Sequence, residues 1–338
     1  MKKIKKEKGK KSKIRLVMLF IIFEGLFTII TGPFMIYYGP FKNVRSTVVG
    51  SAMTTFSLQW LVTSFLSDDK IKEIMSQQKV DIIVQDNSHG IGTGVKVKNK
   101  NDKSVIRYEI TGNKFKGFLL VINDPTRIKV GYSSKLGREG ELTSVIARDN
   151  NAIAAINGGG FTDMSSDSLW TGTGANPSGV IMSSGKIVYN GTNNDNEKMD
   201  TVALTKLGKL LVGPYTIKEL IKYGVNEAVS FGPAMIVNGH KTIKNGNGGW
   251  GIAPRTCVAQ RKDGSILFLV IDGRQIRSLG ATLREAQDVL YEHGAYNATN
   301  LDGGSSSTLF YDDEVINNPC DSLGERSVPS IIYVESRK

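Results

Sequence analysis

Asn300-Leu301-Asp302-Gly303-Gly304-Ser305-Ser306-Ser307 is the stretch of the 338-residue chain from which fold and site are best understood. The apolar run before it, which includes Ala295 and Ala298, predicts a strand that ends at the Asp302 carboxylate. Two glycines then allow positive φ and let a ligand approach bare backbone, and three serines add hydroxyl groups without bulk. A lone Asp-Gly-Gly is most often a turn capped by its aspartate. Other strand ends in this chain favour a binding site.

Similar polar segments follow two further apolar runs. Ile156 is followed by Asn157-Gly158-Gly159-Gly160, and Ile271 is followed by Asp272-Gly273-Arg274. Two basic segments, Ala253-Pro254-Arg255-Thr256 and Gly324-Glu325-Arg326, complete the set. Polar groups on loops around a rigid scaffold are the usual construction of a site. We therefore predict that these strand ends share one edge of a sheet.

The order of elements predicts an α+β fold, mostly β with a few helices. From residue 80 onward, short β-branched runs such as Asp81–Val84 and Gly94–Lys98 are separated by Gly, Asn, Asp and Pro and are typical of strands. Thr282-Leu283-Arg284-Glu285 has the pattern of a capping box and predicts a helix that ends near His293. Since strands and helices do not alternate regularly, a doubly wound parallel sheet is not expected.

The positive charge of the chain lies at its N-terminus. Residues 1–15 contain nine Lys and Arg residues against one Glu, and so carry +8 of the net charge of +11. The remaining body is nearly balanced, and we expect no nucleic-acid partner. Neither a phosphate-binding Walker sequence nor Cys/His zinc spacing is present, so we expect no cofactor and no metal. Cys257 and Cys320 allow a disulfide in an exported domain, but Cys257 lies in a strand-like run that favours a small buried apolar residue.

Leu16–Tyr38 is long and apolar enough to cross a bilayer, with Glu24 as its one charge. The basic tail before it places the N-terminus in the cytoplasm and the rest of the chain outside the cell, as a single-pass membrane protein. The bilayer is thus an expected partner. A cleaved signal peptide is the alternative, but its apolar region is usually only about 7–15 residues long. A second span at Ser46–Phe65 would return the chain to the cytoplasm, but its hydroxyl groups and Gln59 disfavour it.

Four segments follow from these patterns. Residues 1–15 form a basic cytoplasmic tail, 16–38 a transmembrane anchor, 39–79 a helical stalk and 80–338 the domain that carries the site.

Five motifs in the same order resemble the phosphodiester glycosidase family. They are AAINGGGF around Asn157, APRT at 253–256, VIDGR at 270–274, NLDGGSSS at 300–307 and GERSVPSIIYV at 324–334. The resemblance covers roughly residues 80–336. It implies cleavage of the bond between the anomeric carbon of a sugar and a phosphodiester oxygen. Members of the family commonly have three glycines after the aspartate, and this chain has Ser305 at the third position.

The candidate residues fit this chemistry by type. Glycosyl transfer needs a carboxylate beside an oxocarbenium-like centre, and a phosphate leaving group needs cationic support, which arginine provides in bidentate form. Asp302 and Asp272 are the candidate carboxylates, and their separate roles stay open. Arg255 and Arg326 are the candidate phosphate ligands, ahead of Arg274. The predicted substrate-binding residues are Asn157, Gly158, Gly159, Thr256, Asn300, Gly303, Gly304, Ser305 and Arg326, with the glycine N–H groups as an anion-binding nest.

The sequence therefore predicts a membrane-anchored extracellular glycosidase. Its expected substrates are sugar-1-phosphodiester linkages in surface glycans, such as exopolysaccharide or teichoic-acid-like polymers. Two alternatives stay open, a non-catalytic module that binds surface glycans and a transferase that uses a hydroxyl acceptor.

Overall fold

The computed structural model describes residues 2–54, 58–78, 80–85, 94–162, 173–192 and 194–337. The chain divides into two compact units, residues 1–77 and residues 78–338. The first unit is helical and the second is rich in sheet, which confirms the α+β class.

The described residues of the first unit form four α-helices: α1 (Lys2–Tyr38), α2 (Lys42–Met53), α3 (Trp60–Thr63) and α4 (Asp68–Ser76). In the described part of the chain, one helical segment, Lys13–Tyr38, is long and apolar enough to cross a membrane, and none of its 18-residue apolar window is buried. It is a candidate membrane anchor or signal sequence. The alternative span at 46–65 is not one continuous helix, because α2 ends at Met53. A small apolar cluster that includes Val49, Val62 and Ile74 packs the remaining helices together.

The second unit is built from three main sheets. The largest has the strand order β1 (Val105–Thr111), β2 (Lys116–Ile122), β16 (Ile266–Ile271), β15 (Arg255–Arg261), β17 (Ala295–Asn300), β13 (Ala234–Val237) and β14 (His240–Lys241). The second has the order β11 (Leu210–Tyr215), β10 (Met199–Thr205), β12 (Val225–Ser230), β8 (Val180–Ser183) and β9 (Lys186–Asn190). The third has the order β19 (Glu314–Val315), β18 (Leu309–Tyr311), β5 (Ala152–Asn157), β21 (Ser330–Glu335) and β3 (Ile128–Tyr132).

Two short ribbons and three helices complete this unit. The ribbons pair β20 (Ser327–Val328) with β4 (Glu141–Leu142) and β6 (Phe161–Thr162) with β7 (Asn176–Pro177). The helices are α5 (Thr143–Asp149), α6 (Ile217–Lys222) and α7 (Leu283–Glu292). As the sequence predicted, Thr282 caps α7, and its hydroxyl and the Glu285 carboxylate complete a capping box.

The largest sheet is covered on both faces, and the alternation of side chains along β16 shows how. Phe268 and Val270 point into a core shared with the other two sheets, which includes Ile156 and Val229. Leu267, Leu269 and Ile271 point the other way and pack with α7. Every residue of β16 is buried, so the strand reads as a continuous apolar run. This rigid sheet positions the loops that leave its edge.

Two of the predicted strands are wrong. Neither Asp81–Val84 nor Gly94–Lys98 forms a strand, and Gly94 lies in a turn. Each makes single backbone hydrogen bonds with its neighbours, such as Asp81 N to Thr242 O at 2.9 Å and Lys96 N to Lys262 O at 2.8 Å, without a continuous ladder. Cys257 is fully buried and both thiols are free, so the structure contains no Cys257–Cys320 disulfide.

Candidate active site

Three of the predicted motifs meet at one edge of the largest sheet. β15 lies between β16 and β17 and runs antiparallel to both, so the start of β15 faces the ends of its neighbours. Pro254, just before β15, is wedged between the two loops. Its carbonyl accepts a hydrogen bond from Gly304 N at 3.1 Å, and a Cβ atom on Gly273 would lie 2.7 Å from its nitrogen. The Asp272 and Asp302 loops therefore leave the sheet side by side.

Asn157 reaches this edge from a different sheet. It ends β5, in the third sheet, and its side chain is fully buried. Its Nδ2 donates to the carbonyl of Asp302 at 2.7 Å, and its Oδ1 accepts from Thr256 Oγ1 at 2.8 Å and from Thr308 N at 3.2 Å. The prediction of one shared sheet edge thus holds for β15, β16 and β17 but not for β5. Asn157 and Thr256 connect the two sheets beneath the Asp302 loop.

Replacing Asn157 by alanine is expected to lower the free energy of unfolding by at least about 3 kcal/mol. The change leaves the Asp302 carbonyl, Thr308 N and Thr256 Oγ1 buried without their partner, and such groups cost about 1–3 kcal/mol each. The measurement is chemical unfolding of the full chain in detergent, followed by tryptophan fluorescence. Asn190→Ala is the matched control, since Asn190 is exposed and its side chain bonds only within a surface turn. Equal stability of both variants would show that Asn157 does not hold the loop.

The predicted anion-binding nest is wrong for four N–H groups. Gly158 N donates to Ser330 O at 2.9 Å, Gly159 N to Ser330 Oγ at 3.2 Å, and Gly160 N to Ser230 O at 3.1 Å. Gly304 N donates to Pro254 O. These glycines instead permit close packing of backbones. A Cβ atom on Gly158 would lie 2.5 Å from Ser330 Oγ, nearer than real side-chain carbons come.

Asp272 is buried at this edge. Its Oδ1 accepts hydrogen bonds from Asn317 Nδ2 and Asn318 N, both at 3.0 Å. Burial raises the pKa of Asp272, against the two hydrogen bonds, which lower it. The carboxylate thereby ties the loop after β16 to residues 317–318.

The Asp302 loop has a partly exposed surface with cationic side chains around it. Asp302, Gly303, Gly304 and Ser305 are all partly exposed, while Asn300 beneath them is buried. Asn300 Nδ2 donates to the carbonyl of Gly232 at 3.1 Å. The Asp302 carboxylate therefore stands at the boundary between a buried polar floor and the surface.

Two arginines flank this loop. Arg326 Nη1 donates to Ser305 Oγ at 3.3 Å, and its guanidinium lies 4.9 Å from the centre of the Phe161 ring. Arg274 approaches from the other neighbouring loop, with its guanidinium nitrogens 3.3 and 3.5 Å from the position that a Cβ of Gly304 would occupy. Ser305, the residue that departs from the family pattern, is thus a partner of Arg326.

Arg255 has a different environment. It is 2% exposed, its Nε donates to Ala281 O at 2.9 Å, and its Nη2 donates to Trp250 O at 2.9 Å and Gly251 O at 2.7 Å. Burial lowers the pKa of Arg255 to about 10, so it stays protonated at neutral pH. Because Nε and Nη2 both donate to backbone carbonyls, we infer that Arg255 stabilises the backbone beneath the site.

Buried polar atoms without a partner collect in the same stretch. In the described part of the chain, six buried side-chain atoms have no hydrogen-bond partner, and four of them lie between residues 300 and 308: Asn300 Oδ1, Ser306 Oγ, Ser307 Oγ and Thr308 Oγ1. Buried polar groups are normally paired, with protein or ordered water, so such a concentration is typical of a functional site.

Asp200, Phe231 and Trp250 lie near this cluster and were not predicted from the sequence as site residues. A Cβ atom on Gly232 would lie 2.8 to 2.9 Å from Asp200 Cβ, Cγ and Oδ2, so the aspartate lies directly over that glycine. Phe231 packs against Gly160 and makes an edge contact with Trp250, with ring centres 5.7 Å apart. No sequence signal identified Asp200, because it enters from β10, in another sheet.

A small cavity of about 110 Å³ lies elsewhere in the same unit. Its lining includes Lys129, Lys206 and Glu227, and none of the predicted site residues contributes to it. Glu227 is buried and lies 3.6 Å from Lys129 Nζ. We therefore place the candidate site at the strand ends and not in this cavity.

Comparison with known proteins points to the same part of the chain. A family model described as phosphodiester glycosidase matches residues 150–335, more than half of the chain. The catalytic domain of zebrafish N-acetylglucosamine-1-phosphodiester alpha-N-acetylglucosaminidase, auto-inhibited by its pro-peptide, superimposes with a TM-score of 0.60 at 22% identity. That match covers 75% of this chain and 91% of the zebrafish chain.

Two further relatives agree in part. A protein of Burkholderia pseudomallei K96243 described as exported has a TM-score of 0.50 at 16% identity, over 66% of this chain and 74% of its own. The SPbeta prophage-derived uncharacterized protein YomE of Bacillus subtilis (strain 168) is 39% identical over 81 residues. Those residues are 24% of this chain and only 12% of YomE. At these identities the solved structures establish the fold, and the family model establishes the family.

Proposed function

This chain belongs to the phosphodiester glycosidase family, and on that premise we propose that it hydrolyses sugar-1-phosphodiester linkages in surface glycans as a membrane-anchored enzyme. The observation that carries the proposal is the Asp302 loop, a partly exposed glycine loop with an aspartate at its start, on which Arg274 lies over Gly304 and Arg326 contacts Ser305. A carboxylate and two guanidinium groups on one loop surface suit a sugar carbon joined to a phosphate.

The roles of the site residues follow from their surroundings. Arg326 and Arg274 bind the phosphate oxygens and stabilise the negative charge that develops on the leaving group. Asp302 acts at the anomeric carbon, on the other side of the bond that breaks. Gly303 and Gly304 keep the loop free of side chains, so that the phosphodiester reaches both arginines. Asn157, Thr256 and Asn300 hold the loop from below, and Asp272 and Arg255 fix its neighbours.

The cellular setting of the proposal rests on the N-terminal segment. Lys13–Tyr38 is a candidate anchor, and the basic residues that precede Leu16 favour a cytoplasmic N-terminus. The domain then faces outward, where phosphodiester-linked glycans such as exopolysaccharide or teichoic-acid-like polymers are its substrates.

Release of free sugar from a defined phosphodiester tests the proposal. The full chain in detergent is incubated with methyl phosphodiesters of sugar-1-phosphates, starting with α-N-acetylglucosamine because the zebrafish protein is named for it. We expect free sugar and methyl phosphate as products. The matched control is the simple methyl glycoside of each sugar, which lacks phosphate and should stay intact.

The same assay separates the two alternatives. A glycan-binding module would retain the phosphodiester on a column and release no sugar. A transferase would form a new glycoside when an acceptor alcohol is added and would release little free sugar without it. Either result would contradict hydrolysis as the function.

A further inference from the structure

We propose that Asp200 is a catalytic residue of this site, and that its carboxylate takes the proton from the water that attacks the anomeric carbon. The inference rests on the proposed function and adds a group that neither the family motifs nor the strand-end pattern identified. Glycosyl hydrolysis is commonly carried out by two carboxyl groups with separate tasks. Asp302 is one of them, and the structure offers Asp200 and Asp272 as the second.

The location of Asp200 follows from strand pairing. β10 and β12 are antiparallel with Thr201 opposite Ser230, so Asp200 stands beside the chain that leaves β12 at Phe231. Its side chain lies against Gly232, whose carbonyl accepts the Asn300 amide two residues before Asp302. The second sheet thus places the Asp200 side chain against Gly232, the residue whose carbonyl is hydrogen-bonded to the strand that leads to Asp302.

The Asp200 carboxylate also differs from that of Asp272 in its partners. None of the described residues forms a hydrogen bond or an ion pair with it, whereas Asp272 Oδ1 is held by Asn317 and Asn318. Asp200 as a whole is exposed, but its carboxylate packs against Gly232, and this partial desolvation raises its pKa and makes it a stronger base. An acid beside a candidate site, with no partner among the described residues, is a candidate catalytic group. Asp272, in contrast, has the contacts of a positioning residue.

Gly232 provides the space for this carboxylate. Any side chain there would begin within 2.9 Å of Asp200 Oδ2, and the φ angle of Gly232 is not positive. The backbone at this position therefore accepts alanine, and the space beside Asp200 does not. Substituting Gly232 by alanine would therefore displace the Asp200 carboxylate without removing it.

The chemical step conserves atoms and charge. The water oxygen forms a bond to the anomeric carbon while its proton passes to the Asp200 carboxylate. The bond from that carbon to the phosphodiester oxygen breaks, and its electron pair leaves with the phosphate, which departs as a monoester. The products are the free sugar and the phosphomonoester, and Asp200 returns its proton to solvent.

Asp200→Asn is expected to lower kcat for the sugar-1-phosphodiester about 100-fold, with KM nearly unchanged, as for the loss of a general base. Gly232→Ala should lower kcat in the same direction, because its methyl group displaces the carboxylate. In Asp200→Ala, added azide should restore leaving-group release and yield the glycosyl azide, because azide attacks without losing a proton. Thermal unfolding of each variant shows whether it is folded.

Glu197→Gln is the matched control, an exposed acid on the turn before β10, and its kcat should equal that of the wild type. If Asp200→Asn is folded and keeps the wild-type kcat, or if azide has no effect on Asp200→Ala, the inference is overturned while the proposed function stands. If the wild type releases no sugar from any phosphodiester, the proposed function itself fails.

Discussion

Asp302→Asn should lower sugar release from a sugar-1-phosphodiester by roughly three orders of magnitude and leave the fold intact. The substitution removes the negative charge that stabilises the oxocarbenium-like centre, and losses of about 10²–10⁴-fold are usual for a single acid or base. Its shape is nearly unchanged, and asparagine keeps the two backbone hydrogen bonds of Asp302. Asp302 N donates to Gly158 O at 3.3 Å, and its carbonyl accepts from Asn157 Nδ2. The measurement is initial-rate kinetics on the full chain in detergent.

The control for this variant is Asp313→Asn. Asp313 is an exposed acid that pairs with Arg148 at the surface, and asparagine tolerates its positive φ of 65°. The Asp313 variant should keep the wild-type rate. A folded Asp302→Asn protein that works within tenfold of the wild type would remove Asp302 from the chemistry.

Arg255→Ala should lower the free energy of unfolding by about 3–5 kcal/mol, because it removes a buried side chain that donates three hydrogen bonds. The variant leaves the carbonyls of Trp250 and Gly251 without the Arg255 donor, takes one of two donors from the carbonyl of Ala281, and creates a cavity below Pro254. Activity should fall with stability, since Pro254 positions both aspartate loops. Chemical unfolding followed by tryptophan fluorescence measures the effect.

Arg326→Ala is the matched comparison, because this arginine is partly exposed and contacts Ser305 and the Phe161 ring. Its removal should cost clearly less stability than the removal of Arg255, as expected for a partly exposed cation, yet sugar release should fall at least tenfold. Unfolding stability and sugar release together distinguish the two arginines: loss of Arg255 should mainly reduce stability, and loss of Arg326 should mainly reduce activity. If Arg255→Ala is as stable as the wild type but inactive, Arg255 is a phosphate ligand, as the sequence chemistry suggested.

The features that could be predicted from the sequence depend on residues that are close together in the chain. The capping box at Thr282 and Glu285 placed the start of α7, because a cap depends on residues that are three apart. The apolar runs before Asp272 and Asp302 predicted neighbouring strand ends, and the structure pairs both strands with β15. The same rules failed at Asp81–Val84, where the extended run has no partner strand along its length, and pairing is a property of distant residues.

The sequence by itself determined the family, the α+β class and the loop that carries Asp302, because each depends on motifs or on the period of apolar residues. Tertiary structure alone decided the task of each charged side chain. Arg255 and Arg274 are alike in sequence, but one donates to buried carbonyls and the other lies over Gly304. Asp200 had no motif to mark it, and β10 brings it to Gly232 from another sheet. The physical reason is that a charge acts on what surrounds it within a few ångströms, and those neighbours come from distant parts of the chain.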